Sequence, residues 1–578
     1  MRRYVEVLQG QRPFFRRWQP ALLALLLLPA RAAEHGAVAS VHPLATRAGV
    51  EALRAGGNAV DAAIACALTL GVVDGFNSGL GGGCFLTIRL ADGRYVAIDG
   101  RENAPAAATR EMFVREGRAV PALSQFGAHA VGVPGELAAL AYASTNFGRL
   151  PLARLLEGAA RVAEEGFPLT RTYAGRLKSA ADELAALTGE PPAAQFAAFR
   201  AIFLPEGRPV MRAGDTLRQP ELAASYRAMA HEGPAWFYRG PFAARTADWM
   251  RQHGGLLNEA DFAAYEPKRR EPVRATYRGF EIVSFPPPSS GGVHGIQILN
   301  LLENFELKAM GRESADFAHV VAEAMKLAFA DRAHWLGDPD FAPVPRGLVA
   351  KDYARELARR IALDRAAPVA GHGTPPAADT DVFGREAARH TTHFSMADGE
   401  GIWAAVTATV NTTFGAKVVV PGTGIVLNNQ MDDFAAQPGV PNFFGLPGAE
   451  ANAVQPRKRP LSSMAPTIIL KNGRPVLAVG AAGGPTIISQ TVLAILGVVD
   501  FGLDPAAALA APRLHHPWAP GELVIERAFG EAVAAELRRR GHAVKPVGEL
   551  GSTQAVGLGP GGLVAAPDPR GEGAGEAW

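Results

Sequence analysis

The sequence predicts an α+β protein in which two antiparallel sheets pack face to face and are covered by helices. Two observations favour this architecture. Strand patterns occur in both halves of the 578-residue chain, whereas apolar residues follow helical spacing through most of the middle, at about 134–360. Because a sheet and a helix each bury one apolar surface, strands in both halves with helices around them predict stacked layers.

The composition is that of an ordinary globular protein. Hydrophobic residues make up 48% of the chain and charged residues 20%. The 58 basic and 56 acidic residues nearly balance, which gives no basic face for nucleic acid. Two cysteines, Cys66 and Cys84, are too few for a disulfide framework. Their apolar and glycine-rich surroundings favour buried free thiols over a single bridge.

The N-terminus has the layout of a secretory signal peptide. Arginines at 2, 3, 16 and 17 precede a short apolar run at 21–28, and Ala30-Arg31-Ala32 offers a small-x-small cleavage pattern. The run is too short to span a bilayer. We expect residues 1–32 to be removed and the mature protein to be periplasmic or secreted, with no membrane segment. An uncleaved anchor is the alternative, and Arg16-Arg17 is a partial twin-arginine match.

Helices and strands are predicted in chain order through the first part. Residues 46–73 read as alanine-rich helices broken by Gly56-Gly57. After a glycine cluster at 79–83, Asp92-Gly93 joins strand patterns at 85–90 and 95–98 as a hairpin. Helical spacing follows at 152–159 and 317–327.

The second part begins after a change in composition. Residues 364–390 are rich in Ala, Pro and Gly and show no periodicity, which predicts a mobile linker. Strand patterns then dominate, and Asn472-Gly473 marks another hairpin. The predicted strands lie at 391–396, 402–410, 417–420, 424–428, 467–470 and 476–479, and helices at 485–499 and 529–541.

Thr391 stands where this linker meets the first of these strands. A threonine hydroxyl is a poor nucleophile without an adjacent base, and an N-terminal threonine supplies its own, since an α-amine titrates at about 7.7–8.0. Such an amine exists only if the bond between His390 and Thr391 is broken. A flexible segment upstream would let the new chain end swing clear.

The spacing of the next strand places a second hydroxyl beside Thr391. A loop at 398–402 would fold 391–397 antiparallel onto 403–409, with opposed Cβ atoms roughly 4.5–5.5 Å apart. Thr409 would then orient and polarise Thr391, although threonines also favour strands for no functional reason. The predicted pairs are Phe394 with Val406, Met396 with Ala404, His393 with Thr407, and Thr391 with Thr409.

Several long motifs resemble the γ-glutamyltransferase (glutathione hydrolase) family. They occur in the family's order, and the similarity runs from about residue 36 to 570. The motifs are PPPSSGG at 286–292, DR at 331–332, GDP at 337–339, TTHFS at 391–395, NTTFG at 411–415, NNQMDDF at 428–434, RPLSSM at 459–464 and GG at 483–484.

The resemblance implies the N-terminal nucleophile hydrolase fold, a four-layer αββα sandwich. It implies self-cleavage into a large subunit, 33–390, and a small subunit, 391–578, which together form a heterodimer. The expected activity is cleavage of γ-glutamyl amides such as glutathione through a γ-glutamyl-enzyme on Thr391, with transfer to water or to an amino-acid or dipeptide acceptor. No cofactor, metal or nucleic acid is expected.

A γ-glutamyl group presents a carboxylate, an ammonium and a carbonyl, and the chain offers a partner for each. Burying either charge without a partner would cost several kcal/mol. A planar guanidinium suits a carboxylate, carboxylate and amide oxygens suit an ammonium, and glycine amides can reach an oxyanion unobstructed. The expected residues are Arg101 and, by resemblance, Ser462 and Ser463 for the carboxylate; Asp433, Gln430 and Asn411 for the ammonium; and Gly483 and Gly484 for the oxyanion.

Two positions depart from many family members. Phe444 stands where bacterial members often carry a lid tyrosine that bonds the residue equivalent to Asn411, and Pro485-Thr486 stands where an arginine is common. Two other functions stay open: a glutaryl or cephalosporin-type acylase on the same fold, and an inactive exported binding protein. The GxGxxG pattern at 557–562 is interpreted as a hairpin turn, not a dinucleotide site.

Overall fold

The computed structural model describes residues 33–383 and 392–578. The predicted signal peptide at 1–32 lies outside the described residues. So does the segment 384–391, which includes the predicted nucleophile Thr391 and its bond to His390.

The first large sheet has seven strands, all paired antiparallel, in the order β22-β1-β11-β12-β2-β3-β8. Its strands come from both sides of the predicted cleavage point. They are β1 (Gly36–Ser40), β2 (Gly83–Arg89), β3 (Tyr95–Gly100), β8 (Lys268–Arg270), β11 (His393–Asp398), β12 (Trp403–Thr409) and β22 (Ala574–Ala577).

The second large sheet has six antiparallel strands in the order β21-β20-β16-β15-β10-β9. It too combines strands from both sides of the predicted cleavage point. They are β9 (Val273–Tyr277), β10 (Phe280–Ser284), β15 (Thr467–Lys471), β16 (Arg474–Ala482), β20 (Ser552–Gly559) and β21 (Gly562–Ala566).

Among residues 33–383 and 392–578, short strands form four minor sheets. Three of these sheets are two-stranded, and the fourth contains the parallel pair β18 and β19. The strands are β4 (Val114–Arg115), β5 (Arg118–Ala119), β6 (Phe167–Pro168), β7 (Thr216–Leu217), β13 (Val418–Val419), β14 (Val426–Leu427), β17 (Leu514–His515), β18 (Glu522–Glu526) and β19 (Ala543–Val547).

One group of helices packs on the outer face of the seven-stranded sheet and the segments beside it. The long α2 is buried along almost its whole length, and an Asn58–Asp61 capping box fixes its start. The helices are α1 (Pro43–Arg54), α2 (Ala59–Val73), α3 (Pro121–Gln125), α4 (Glu136–Phe147), α5 (Leu152–Glu165), α6 (Arg171–Ala186), α7 (Ala197–Phe203), α8 (Pro220–Glu232), α9 (Ala235–Tyr238), α10 (Pro241–His253) and α11 (Glu259–Ala263).

A second group of helices covers the outer face of the six-stranded sheet. Its longest member, α14, is buried from Phe317 to Arg332. The helices are α12 (Ser290–Leu302), α13 (Leu307–Met310), α14 (Ala315–Trp335), α15 (Lys351–Ala358), α16 (Thr486–Val499), α17 (Pro505–Ala510) and α18 (Glu531–Arg539).

Small side chains let the two large sheets meet face to face. The core between them is rich in alanine, and Phe85 stacks on Phe285 with ring centroids 4.2 Å apart. Together with the two helical groups, this contact gives the αββα sandwich that the sequence predicted. The inner residues are Ala37, Ala39, Val283, Ala397, Trp403, Ala405, Ile468, Leu470, Ala478 and Val556.

Several local predictions are confirmed. Residues 85–90 and 95–98 pair across the Asp92-Gly93 turn, and Asn472 and Gly473 both have positive φ, at 51° and 76°, as a two-residue hairpin turn requires. The GxGxxG stretch joins β20 to β21 as a hairpin. Cys66 and Cys84 are buried free thiols.

The described part of the predicted linker, 364–383, contains no helix and no strand, as predicted. It nevertheless packs on the helical layer. The Gly373 N–H donates to the Asp331 carboxylate at 2.6 Å, and Phe383 is buried. Within the described ranges, no helix combines the length and apolarity needed to cross a membrane.

Candidate active site

The hairpin of β11 and β12 has the register predicted from the sequence. His393 lies opposite Thr407, Phe394 opposite Val406 and Met396 opposite Ala404. One residue before β11, the Thr392 carbonyl still accepts the Ala408 N–H at 2.5 Å. The strand therefore leads directly to the predicted position of the nucleophile, and the predicted pair of Thr391 with Thr409 falls outside the described residues.

Thr409 closes β12 and directs the chain into the turn that follows. Its Oγ1 accepts the Asn411 N–H at 2.7 Å. Asn411 has a φ of 80°, a left-handed conformation that asparagine tolerates better than most residues. The Asn411 Nδ2 donates to the Asn429 carbonyl at 3.0 Å, which ties this turn to the segment that carries Gln430 and Asp433.

Arg101 and Asp433 form a buried ion pair. Arg101 follows β3 and is fully buried, and its Nη2 donates to Asp433 Oδ2 at 3.0 Å and to the Pro460 carbonyl at 3.1 Å. Gln430 Nε2 donates to the same carboxylate oxygen at 2.7 Å. Burial raises the pKa of Asp433, and the charge of Arg101 opposes that rise.

This pair joins the two residues that the sequence assigned to opposite charges of one ligand. Asp433 offsets the charge of Arg101 together with Glu102, whose Oε2 lies 3.8 Å from Arg101 Nη1. A ligand that carries a carboxylate and an ammonium could replace one ion pair with two, without leaving either buried side chain uncompensated. The arrangement suits a zwitterion better than an ion of a single sign.

Ser462 and Ser463 are held by residues from the other side of the predicted cleavage point. The Ser290 N–H donates to the Ser462 carbonyl at 2.8 Å, and the Ser462 N–H donates to the Pro288 carbonyl at 3.0 Å. Ser289 Oγ and Ser462 Oγ are 3.1 Å apart. The PPPSSGG motif therefore holds the serine pair in place.

Gly483 and Gly484 connect the end of β16 to the start of α16, and both have positive φ, at 129° and 59°. A Cβ on Gly484 would lie 2.7 Å from a ring carbon of Phe444, so glycine is required there for space as well as conformation. The amides of this turn precede a helix N-terminus, where N–H groups point outward.

Part of the predicted site lines one cleft. Asp433, Ser463 and Gly484 line it together with Phe444 and Arg332. Gln430 joins through its bond to Asp433, whereas Asn411 is linked to the cleft through the Asn429 carbonyl and Thr409 through the Asn411 N–H. Arg101 lies behind Asp433 and does not line the cleft. The residue predicted to bind the substrate carboxylate therefore lies one layer deeper than expected.

The family model described as γ-glutamyltranspeptidase matches residues 45–578. The chain belongs to this family. It is similar to the glutathione hydrolase proenzyme of Escherichia coli, with 43% identity over 93% of this chain and 91% of that protein. It is also similar to the acylase ACY 1 proenzyme of Pseudomonas sp. strain SE83, with 38% identity over 92% and 91% of the two chains.

Among solved structures, the crystal structure of a cephalosporin acylase from Bacillus halodurans covers 99% of both chains, with a TM-score of 0.83 and 30% identity. The fold of this γ-glutamyltranspeptidase family member is thus shared by an enzyme named a cephalosporin acylase. The family and the fold agree with the resemblance carried by the sequence motifs.

Two charged residues near the predicted site of this family member were not assigned a role from the sequence. Arg332 lines the cleft, and Asp74 accepts from the Thr392 hydroxyl at 3.5 Å and from Asn77 Nδ2 at 3.2 Å. Burial raises the pKa of Asp74 to about 7. The available signals were the position of Arg332 in the Asp331-Arg332 motif and an acid, Asp74, directly after the apolar run that ends at Val73.

One group in the described part of this family member could geometrically hold a metal ion: His319, Glu323 and His542, whose ligand atoms lie within 4.8 Å of one another. The contacts within the group account for it without an ion. His319 Nδ1 and His542 Nε2 are 2.8 Å apart, a hydrogen-bond distance, and the Lys326 ammonium lies 2.6 Å from a Glu323 oxygen. The Lys326 ammonium already supplies the positive charge that a metal would bring to Glu323.

Proposed function

We propose that this chain cuts itself between His390 and Thr391 and that Thr391 then attacks the γ-carbonyl of γ-glutamyl amides such as glutathione. The γ-glutamyl group is carried on Thr391 and passed to water or to the amine of an amino acid or dipeptide. The observation that carries this proposal is that Asp433, Ser463 and Gly484 line one cleft with Arg101 paired directly behind Asp433, because together they offer both charges and the backbone amides that a γ-glutamyl group needs.

The end of β11 supports Thr391 as the nucleophile. Thr392 is held in register against Ala408, which agrees with the predicted pairing of the preceding residue, Thr391, with Thr409. Thr409 Oγ1 accepts the Asn411 N–H, which leaves its own hydrogen available for donation. Donation to the Thr391 oxygen would orient that hydroxyl for attack.

The chemical steps follow from these groups. The Thr391 amine takes the hydroxyl proton as the oxygen attacks the γ-carbonyl carbon, and the Gly483 and Gly484 amides donate to the oxyanion that forms. Collapse of this intermediate breaks the amide bond, and the leaving amine takes the proton from the Thr391 ammonium. Water or an acceptor amine then repeats the sequence in reverse and releases the γ-glutamyl group.

The same site distinguishes γ-glutamyl substrates from glutaryl ones. A glutaryl group lacks the α-ammonium. When it binds, the Asp433 carboxylate would gain no charged partner from the substrate. We therefore expect kcat/KM for γ-glutamyl p-nitroanilide to exceed that for glutaryl p-nitroanilide by about 10–100-fold, the value of a charge-assisted hydrogen bond. A preference for the glutaryl substrate would favour acylase activity instead.

We also propose that residues 1–32 direct export and are removed, and that the mature enzyme is a heterodimer of 33–390 and 391–578. Curated relatives named proenzymes support maturation by cleavage. Export predicts a mature N-terminus near residue 33 in protein recovered from the periplasm or medium. Recovery of the full-length chain from the cytoplasm alone would contradict it.

Replacement of the nucleophile tests the proposal at its core. Thr391→Ala removes the hydroxyl and should abolish both self-cleavage and turnover of γ-glutamyl p-nitroanilide, measured by denaturing electrophoresis and absorbance. Thr391→Ser keeps a hydroxyl and should still cleave, more slowly, which controls for folding. Two subunits in Thr391→Ala would show that another residue performs the cleavage.

A further inference from the structure

Arg332 is a buried arginine whose side chain faces the cleft rather than solvent. It lies near the end of α14, is 5% exposed, and lines the cleft with Asp433 and Ser463. Its Nε donates to Ser290 Oγ at 2.9 Å and its Nη2 donates to Ser463 Oγ at 3.1 Å. One planar guanidinium therefore contacts hydroxyls from both sides of the predicted cleavage point.

The direction of these hydrogen bonds is fixed by chemistry. A guanidinium has donors and no acceptor, so Ser463 Oγ must accept from Arg332. A serine hydroxyl has a single hydrogen, and among residues 33–383 and 392–578 no acceptor for the Ser463 hydrogen is present. Since Ser463 lines the cleft, its hydroxyl is left as a donor toward whatever anion binds there.

We propose that Arg332 is a positioning residue for the substrate carboxylate: it holds the Ser463 hydroxyl so that its hydrogen is donated into the cleft. The inference rests on the proposed function and deepens it, since it adds a residue to the recognition of the γ-glutamyl carboxylate. The guanidinium also places a positive charge beside the serine pair, which favours an anion there and not an ammonium.

The geometry explains why arginine is needed at this position. Nε and Nη2 lie in one plane on one edge of the guanidinium, so they can bond Ser290 and Ser463 at the same time. Ser290 is in turn fixed by its N–H bond to the Ser462 carbonyl. A lysine has a single flexible ammonium and would hold one hydroxyl at a time, so it should restore the charge but only part of the positioning.

Three ligands separate the two charges of the substrate. All three carry the distal carboxylate: L-glutamate adds both the α-carboxylate and the α-ammonium, glutarate adds only the second carboxylate, and 4-aminobutyrate adds only the ammonium. Their affinities for the mature enzyme can be measured by titration calorimetry, without reference to turnover. Arg332→Gln should weaken L-glutamate and glutarate by about 10–100-fold, the value of a charge-assisted hydrogen bond, and should change 4-aminobutyrate by less than about threefold.

Control variants distinguish positioning from structural damage. Arg312→Gln replaces another buried arginine, which donates to the Pro512 carbonyl and packs over Phe317, and should alter none of the three affinities. Arg332→Lys should recover part of the lost affinity for L-glutamate. An equal loss for all three ligands in Arg332→Gln would reduce the role of Arg332 to folding and overturn the inference.

A double-mutant cycle tests whether Arg332 acts through Ser463. Ser463→Ala should weaken L-glutamate, and Arg332→Gln added to it should weaken the ligand by less than about threefold more, because the hydroxyl to be positioned is already gone. Fully additive losses of L-glutamate affinity would overturn the inference. If the same enzyme still cleaved γ-glutamyl p-nitroanilide normally, the proposed function would stand. Conversely, a wild-type enzyme that binds L-glutamate with the predicted pattern but cleaves no γ-glutamyl amide would refute only the proposed function.

Discussion

At the scale of single residues, a buried ion pair backs the cleft. Arg101 lies behind Asp433 and pairs with it across 3.0 Å, and Gln430 adds a hydrogen bond to the same carboxylate. Buried charges are costly when one partner is removed, so each member of this pair also protects the other. The charged groups that would bind a zwitterion therefore also stabilise the folded site before the substrate binds.

Replacement of Asp433 should separate binding from maturation. Asp433→Asn removes the charge that would meet the ammonium, so we expect KM for γ-glutamyl p-nitroanilide to rise by about 10–100-fold while self-cleavage proceeds. Asp432→Asn is the matched control, since Asp432 lies in the same turn but bonds Ser124 at 2.5 Å. Equal effects of the two substitutions on KM would argue against a specific role for Asp433.

Asp74 makes stability depend on pH in a predictable direction. Its pKa is raised from 3.8 to about 7 by burial, so the folded state binds its proton more tightly than the unfolded state. The stability contributed by this proton is present at low pH and is lost as pH rises from about 4 through about 7. Asp74→Asn cannot ionise and should gain on the order of a few kcal/mol over wild type at pH 8, with little gain near pH 4.

Thermal or denaturant unfolding at the two pH values checks this expectation. Asp182→Asn is the control, because Asp182 is exposed and pairs with Lys178 on the surface of α6. A gain in Asp74→Asn that is the same at both pH values would show that ionisation of Asp74 is not its cause.

At the scale of elements, short-range signals were sufficient where turn chemistry and alternation agreed. Asn472-Gly473 and the β11–β12 register were predictable because each is fixed by local spacing. The strands β9 and β10 were not predicted within a region that reads as mostly helical. Their turn uses Arg278 and Gly279 with φ of 49° and 75°, and an arginine in a left-handed position is a weak sequence signal.

The candidate site shows the same division. Thr391 and the glycine pair stand out by residue type, Arg101 and Asp433 were assigned by the charges that a γ-glutamyl group needs, and the serine pair was assigned by family resemblance. Arg332 was not assigned because its partner Ser463 is 131 positions away and on another element. Contacts of that separation depend on how helices and sheets pack, which local patterns do not encode.

The turn between β16 and α16 allows a sharp test at this scale. Gly484→Ala would introduce a Cβ that lies 2.7 Å from the Phe444 ring, whereas Gly502→Ala, at a similar φ of +66°, would meet nothing within 4 Å. Both substitutions should cost about 1 kcal/mol of stability through backbone strain. Only Gly484→Ala should lower kcat, by about 10²–10³ if an oxyanion donor is displaced.

The assay is kcat for γ-glutamyl p-nitroanilide beside the unfolding free energy of each variant. If Gly502→Ala lost as much activity as Gly484→Ala, general strain rather than the close approach to Phe444 would be responsible.

At the scale of the whole molecule, the two predicted subunits are interleaved. Each large sheet takes strands from both sides of the predicted cleavage point, and β11 lies between β1 and β12 in the seven-stranded sheet. Backbone hydrogen bonds along β1 and β11 therefore join the two pieces directly. Cleavage of one peptide bond leaves all of these contacts in place.

The mature protein should consequently behave as one particle. We expect both fragments to elute together in gel filtration under native conditions and to separate only in denaturant. Uncleaved Thr391→Ala provides the reference elution volume. Separation of the fragments at native pH without denaturant would contradict the interleaved arrangement.

The most direct test of the central claim is N-terminal sequencing of the smaller fragment, followed together with activity during maturation. The catalytic base is proposed to be the amine that cleavage liberates on Thr391. The fragment should therefore begin Thr391-Thr392-His393-Phe394, and activity should rise in proportion to its appearance. A fully active preparation with an unbroken His390–Thr391 bond, or a fragment that begins at another residue, would contradict the mechanism.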